Sequence, residues 1–159
     1  VAANPDEWIA FEASAAESHC YSFSPAYEDD AGRAIMRLSE LTEQRRMGRE
    51  AGPAILLVID DLRTLAKADF DVRLNFEWVL KNGPSAQVWP VVSLPTQSAL
   101  DMSRMVSYFR TRLIGRMPAN TNKRIALYDG LNTETLQSGK EFAVRVQDAW
   151  LTFWLPARI

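Results

Sequence analysis

"PAILLVIDDLRTL", residues 53–65, is the stretch on which the fold turns. Six apolar residues, Ala54 to Ile59, run without a break into two adjacent carboxylates, Asp60 and Asp61. A continuous apolar run of this length, bounded by Pro53 and by charge, is the pattern of a strand buried on both faces within a parallel sheet. In open sheets of that kind ligands bind beyond the carboxyl ends of the strands, which is where the two acids fall. The same residues also suit a plainer arrangement, with Asp60 capping the next segment and Asp61 solvated in a loop.

Outward from this run, helical and extended patterns alternate. Upstream, "DDAGRAIMRLSELTEQRRMGRE" places Ala34 or Ile35, Leu38 and Leu41 at helical spacing, with Asp29 or Asp30 as N-cap and Gly48 near the far end. Further upstream, "WIAFEA" (8–13) follows the turn signal "NPDE" and reads as a first strand, which "CYSFSP" continues or follows. Downstream, Val72, Phe76, Val79 and Leu80 follow the i, i+4, i+7, i+8 rule, and Gly83-Pro84 ends that helix. "QVWPVVSLPTQ" is a strand whose Pro90 argues for an edge position or a bulge. "SALDMSRMVSYF" returns to helix, "TRLIGRM" and "RIALY" are short strands, and "EFAVRVQDAWLTFWLP" holds two strands meeting near Gln147-Asp148. The expectation is an α/β fold over residues 1–159 as a single domain, with a mainly parallel sheet flanked by helices and an antiparallel strand pair at its C-terminal end.

Composition narrows the classes. With 47% hydrophobic and 24% charged residues the chain reads as globular, and a net charge of −2 gives no sign of a globally basic nucleic-acid binder. Arginines nevertheless gather at 45–49 and 104–124, so a local basic face stays open. The single cysteine, Cys20, excludes an internal disulfide and a Cys-based zinc site, and favours the cytoplasm. His19 beside it has no partner at ligand spacing, so both are read as structural. No apolar run approaches the roughly 18 residues that span a bilayer. Trp8, Trp78, Trp150 and Trp154 sit in apolar patterns and are read as core, with Trp89 undecided. The first residue is not Met, and "VAANPDEW" reads as the tail of a helix and the loop after it, so a piece of a longer protein is expected.

A hydrophobic strand ending in two acids is the Walker B pattern. Its first carboxylate, here Asp60, holds the hydrated magnesium of a nucleotide through water, and its second, Asp61, orients or deprotonates the attacking water. Some 30 residues later the strand ending at Gln97 supplies a polar tip suited to sensing the γ-phosphate of ATP. With "VIDD" at 58–61, "LPTQ" at 94–97, "TRLIGRM" at 111–117, "YDGLNTETLQSGKEFAV" at 128–144 and "RVQDAWLTF" at 145–153, the chain resembles the FtsK/HerA family of ring-forming DNA translocases. "AGRAIMRLSELTEQRR" is similar to the helix that precedes Walker B in that family.

The resemblance implies a partial RecA-like P-loop NTPase core that hydrolyses ATP with magnesium at the subunit interfaces of a homo-oligomer, a hexameric ring acting on double-stranded DNA. It also implies an arginine reaching a neighbour's γ-phosphate, for which Arg112 is the candidate among the arginines of the 111–117 strand, although a salt-bridged or solvated strand end is the commoner role for such a residue. Three departures stand against it. No G-x-x-x-x-G-K-[ST] phosphate loop is present, so ATP is expected to bind poorly to these residues. Asp61 stands where the family has Glu, one methylene longer. "SGKEF" replaces the family's "GRGDM". A secretion or conjugation ATPase of the same superfamily and a non-hydrolytic assembly module therefore remain alternatives.

Overall fold

Acidic residues open and basic residues close the first long helix, α1 (Asp29–Arg46), which matches the sign of the helix dipole at both ends. Within the computed structural model the described residues are 1–8, 23–25, 29–121 and 130–156, Glu7 by its backbone alone. They form two compact units, Val1–Leu94 and Pro95–Ile159. The strands expected at "WIAFEA" beyond Trp8 and at "RIALY", together with His19 and Cys20, lie outside the described residues.

In the first unit, α1 buries Ala31, Ile35, Ser39 and Thr42, while the expected core positions Leu38 and Leu41 are half-buried beside that line. Two hydroxyl residues enter the buried stripe, and the polarity of Thr42 is absorbed locally: its Oγ1 donates to the Leu38 carbonyl at 2.6 Å. The helix ends where the chain enters the left-handed region at Gly48 (φ 68°). Arg49 N donates to Gln44 O at 2.9 Å and Gly48 N to Arg45 O at 3.0 Å, the paired bonds of a Schellman cap.

The run from Ala54 becomes β1 (Ile55–Ile59), followed by a single helical turn, α2 (Arg63–Ala66), and by α3 (Phe70–Asn82). The periodicity of α3 holds in full: Val72, Phe76, Val79 and Leu80 are its buried residues. Gly83 then continues into a 3-10 turn, where a Cβ would lie 2.6 Å from the Val88 carbonyl oxygen, so the chain passes too close there for any side chain. β2 (Val88–Val92) pairs parallel with β1, Ile55 facing Val88 and Ile59 facing Val92. Because Ile55 N donates to Gln87 O and Ser93 N to Ile59 O, the odd-numbered amides of β2 face β1. Pro90 therefore lacks its N–H on the side away from β1, and no ladder bond is lost.

β1 is buried on one face only. Leu57 and Ile59 point inward, but Leu56 is 67% and Val58 40% exposed, and Trp89 and Val91 of β2 lie open on the same side of the sheet. An apolar run without alternation is consistent with burial on both faces, but here only one side of the two-stranded sheet is covered by its own unit. The core of the unit is Ile35, Leu57, Ile59, Leu62, Phe76, Val79 and Val88, with α1 against α3 and α3 against β2.

The second unit starts irregularly. Only Ser103–Val106 (α4) of the expected helix at 98–109 is α-helical, and the strand expected at "TRLIGRM" shortens to β3 (Leu113–Ile114). β4 (Glu141–Val146) and β5 (Ala149–Trp154) form the antiparallel hairpin the sequence marks, its two-residue turn placing Gln147 at φ 54°. The sheet order is β3-β4-β5, all antiparallel. Ile114 and Met117 form its buried centre, with Leu131 and Trp150 packed on them. Trp154, read as core, is instead 69% exposed, because it is the last residue of an edge strand and no described strand pairs with its outer side. The fold is thus a mixture of helix and strand, with a two-stranded parallel and a three-stranded antiparallel sheet. Among the described residues no helix is long and apolar enough to cross a membrane.

Candidate functional site

Asp60 and Asp61 follow the last residue of β1, at the carboxyl end of a parallel pair. Ser93, the first residue past β2, is brought beside them by the register that pairs Ile59 with Val92. Its hydroxyl donates to Asp60 Oδ1 at 3.1 Å and accepts from Asp61 N at 2.9 Å, so one side chain ties both acids to the tip of the neighbouring strand. On the other carboxylate oxygen, the indole Nε1 of Trp8 donates to Asp60 Oδ2 at 3.3 Å. Val1 lies along β1, its amino group on Val58 O at 2.8 Å and its carbonyl accepting from Asp60 N at 2.9 Å.

The two acids differ in what holds them. Asp60 is half-buried, and the contacts to its carboxylate are a hydroxyl and an indole, both neutral. Asp61 sits in the left-handed region (φ 65°), which swings its side chain away from its neighbour and toward the following turn. There its Oδ1 accepts from Arg63 N at 3.0 Å and from Arg63 Nε at 2.9 Å, and its Oδ2 from Arg63 Nε at 2.8 Å and from the terminal guanidinium nitrogen Nη2. The Arg63 guanidinium holds the Asp61 carboxyl below its usual range, against a smaller opposing effect of burial. Asp61 forms part of the wall of a groove of about 990 Å³ whose lining also carries Arg33, Arg63 and Lys67.

This geometry has a definite chemical capacity. One carboxylate held by neutral donors at a strand tip fits a magnesium ion that keeps most of its water and takes its other ligands from phosphates, the usual style of that ion. Among the described residues no three acidic, His or Cys groups gather into a cage, so an all-protein metal site is not what the donor set offers. Asp61, ion-paired and with a lowered pKa, is a weaker base than a free carboxylate.

Of the four residues singled out in the sequence, Asp60 and Asp61 are brought together. Gln97 is exposed in a 3-10 helix, Thr96–Ser98, because β2 ends five residues earlier, at Val92. Arg112 is half-buried, its Nε donating to Phe109 O and its Nη2 to Val106 O, both at 3.1 Å, so its guanidinium is spent on the carbonyls at the end of α4. Gln97 and Arg112 belong to the second unit, Asp60 and Asp61 to the first. Sequence reasoning missed Ser93, Trp8 and Arg63. The signal for Ser93 is its place directly after the apolar run "VWPVV"; Trp8, 52 residues from Asp60, leaves none. No protein-family model matches the chain, and neither a curated protein nor a solved structure is similar to it.

Proposed function

We propose that these residues are the Walker B half of an ATP-driven motor of the FtsK/HerA type, a RecA-like core that moves a polymer, double-stranded DNA foremost, through a homo-oligomeric ring. The observation that carries the reading is Asp60 at the carboxyl tip of β1, bonded to the polar residue at the tip of the adjacent parallel strand. In this reading Asp60 holds a magnesium ion through water, Ser93 and Trp8 fix the carboxylate, and a nucleotide supplies the remaining ligands. A bound magnesium would neutralise charge on the phosphates. Contacts to the phosphates themselves need amides and a lysine of the kind this sequence does not contain.

The test is ATP hydrolysis by the full-length gene product, in the presence and absence of DNA. Turnover that falls by at least about a hundredfold in Asp60→Ala supports the reading. Turnover that ignores this substitution removes it. Salt-dependent binding of DNA by the assembled protein separates a DNA motor from a secretion or conjugation ATPase, since phosphate contacts release counterions.

A second reading is favoured by one observation: the ion pair of Asp61 with Arg63, which occupies the acid that would otherwise activate water. Under it the domain retains the fold and the subunit contacts but does not turn over nucleotide. Complete absence of hydrolysis in a full-length protein that carries a phosphate loop is the outcome it requires.

A further inference from the structure

β5 is an unusually bare sheet edge. β5 and the residue after it, Ala149 to Leu155, read "AWLTFWL", seven residues with no charge, no proline and no glycine. Natural edge strands are blunted by such residues or kept very short, because an open row of amides and carbonyls is a template for another strand. Elsewhere Pro90 removes a donor from the outer side of β2, Val1 lies along the outer side of β1, and β3 at the opposite border of the same sheet has two residues. Leu155 N donates to Lys140 O, so the odd-numbered residues of β5 face β4 and the amides of Trp150, Thr152 and Trp154 face outward. Trp154, Leu151 and Leu155 are 69%, 52% and 50% exposed.

The sequence of this edge is nearly palindromic about Thr152. We propose that β5 is a homodimer interface, pairing antiparallel with β5 of a second copy across a two-fold axis at Thr152. In that register Trp150 meets Trp154 of the other copy, Leu151 meets Phe153, and Thr152 meets Thr152. Aromatic pairs, aromatic-aliphatic pairs and Thr-Thr pairs are those that stabilise antiparallel ladders. Leu151 and Phe153 would extend the face on which Phe142 and Phe153 already stack, with centroids 6.1 Å apart. A second copy is the occupant favoured over an unrelated strand because the edge complements itself at the 150/154, 151/153 and 152/152 positions. Pairing β5 with β5 also consumes both long edges and leaves two-residue β3 strands at the borders, so the product is a closed six-stranded sheet and not an open-ended polymer. A single strand pair buries less than the roughly 1,600 Å² of a standard interface, so association is weak and varies with concentration. The inference stands apart from the nucleotide reading and needs neither ATP nor metal.

Sedimentation velocity of the 159-residue chain over a wide concentration range tests it, with three variants at the two-fold position. Wild type and Thr152→Val are expected to reach a monomer-dimer equilibrium. Thr152→Lys and Thr152→Glu each place like charges opposite one another and are expected to weaken it by about tenfold or more. Mixing the Lys and Glu variants is expected to restore a dimer containing one of each, which only a contact through residue 152 itself produces. Circular dichroism confirms that each variant is folded, and Thr152 is exposed, so its substitution leaves the core intact. A wild-type chain that stays monomeric, dimers unaffected by Thr152→Lys, a mixture that stays monomeric, or aggregation without a defined stoichiometry would each overturn the proposal.

Discussion

Asp61 and Arg63 are two residues apart, and the left-handed turn at Asp61 is what lets one guanidinium reach both of its carboxylate oxygens. The consequence for stability has a definite sign. A carboxyl whose pKa in the folded protein lies below its unfolded value of about 3.9 stabilises the fold above that pH. That contribution is lost as pH falls through the lower folded value. Urea denaturation from neutral to acid pH is therefore expected to show a steeper loss for wild type than for Arg63→Gln, the two curves converging at the acid end. Parallel curves would mean the pair is not made in solution. Substituting Ser93 tests a different residue: Ser93→Ala removes the bond to Asp60 and the acceptor for Asp61 N together and, since both bonds are solvent-exposed, is expected to cost about 0.5–1.5 kcal/mol. The two acids were readable from the sequence because they are neighbours at the end of an apolar run. Their partners were not, since Ser93 reaches them through strand register and Trp8 through the path of the amino-terminal segment, and neither leaves a periodic trace.

Secondary elements were readable where one face does one job. α3 presents four apolar residues at helical spacing to the core, and all four are buried. Phe76, fully buried, is expected to lose about 3–5 kcal/mol on Phe76→Ala through transfer and cavity terms together. Leu74→Ala, on the open side of the same helix, is expected to fall within about 0.5 kcal/mol of wild type. Chemical denaturation of both variants distinguishes an inward from an outward face, and equal losses would rotate the helix. The reading was weaker where polar residues are buried. In α1 the inward line passes through Ser39 and Thr42, and a hydropathy pattern shifts that line onto Leu38 and Leu41. β1 misled for another reason: its unbroken apolar run matches the pattern of a fully covered strand, but the outer face formed by Leu56, Val58, Trp89 and Val91 is open. β4 and β5 were placed correctly because their turn and alternation are both local signals.

At the scale of the whole chain, the parallel pairing of β1 with β2 and the C-terminal hairpin followed from the sequence, while the division into a two-stranded and a three-stranded sheet did not. Sheet membership depends on contacts between segments far apart in the chain, which local propensity does not encode. The same non-locality governs nucleotide binding. In the proposed reading Asp60 would offer one metal ligand, and the groove beside Asp61 carries Arg33, Arg63 and Lys67 together with Asp29 and Asp69, but three scattered cations among acids are not a loop of converging amides. A ligand that bound these 159 residues at a hundred times its dissociation constant would add about 2.7 kcal/mol of stability and raise the thermal midpoint by several degrees. Magnesium-ATP at millimolar concentration is expected to leave that midpoint unchanged, whereas a full-length protein carrying a phosphate loop is expected to be stabilised and to lose the effect in Asp60→Ala. Stabilisation of the 159-residue chain alone, abolished by reversing the charges of Arg63 and Lys67, would move the nucleotide site into the groove and overturn the assignment of this segment as half of a larger one.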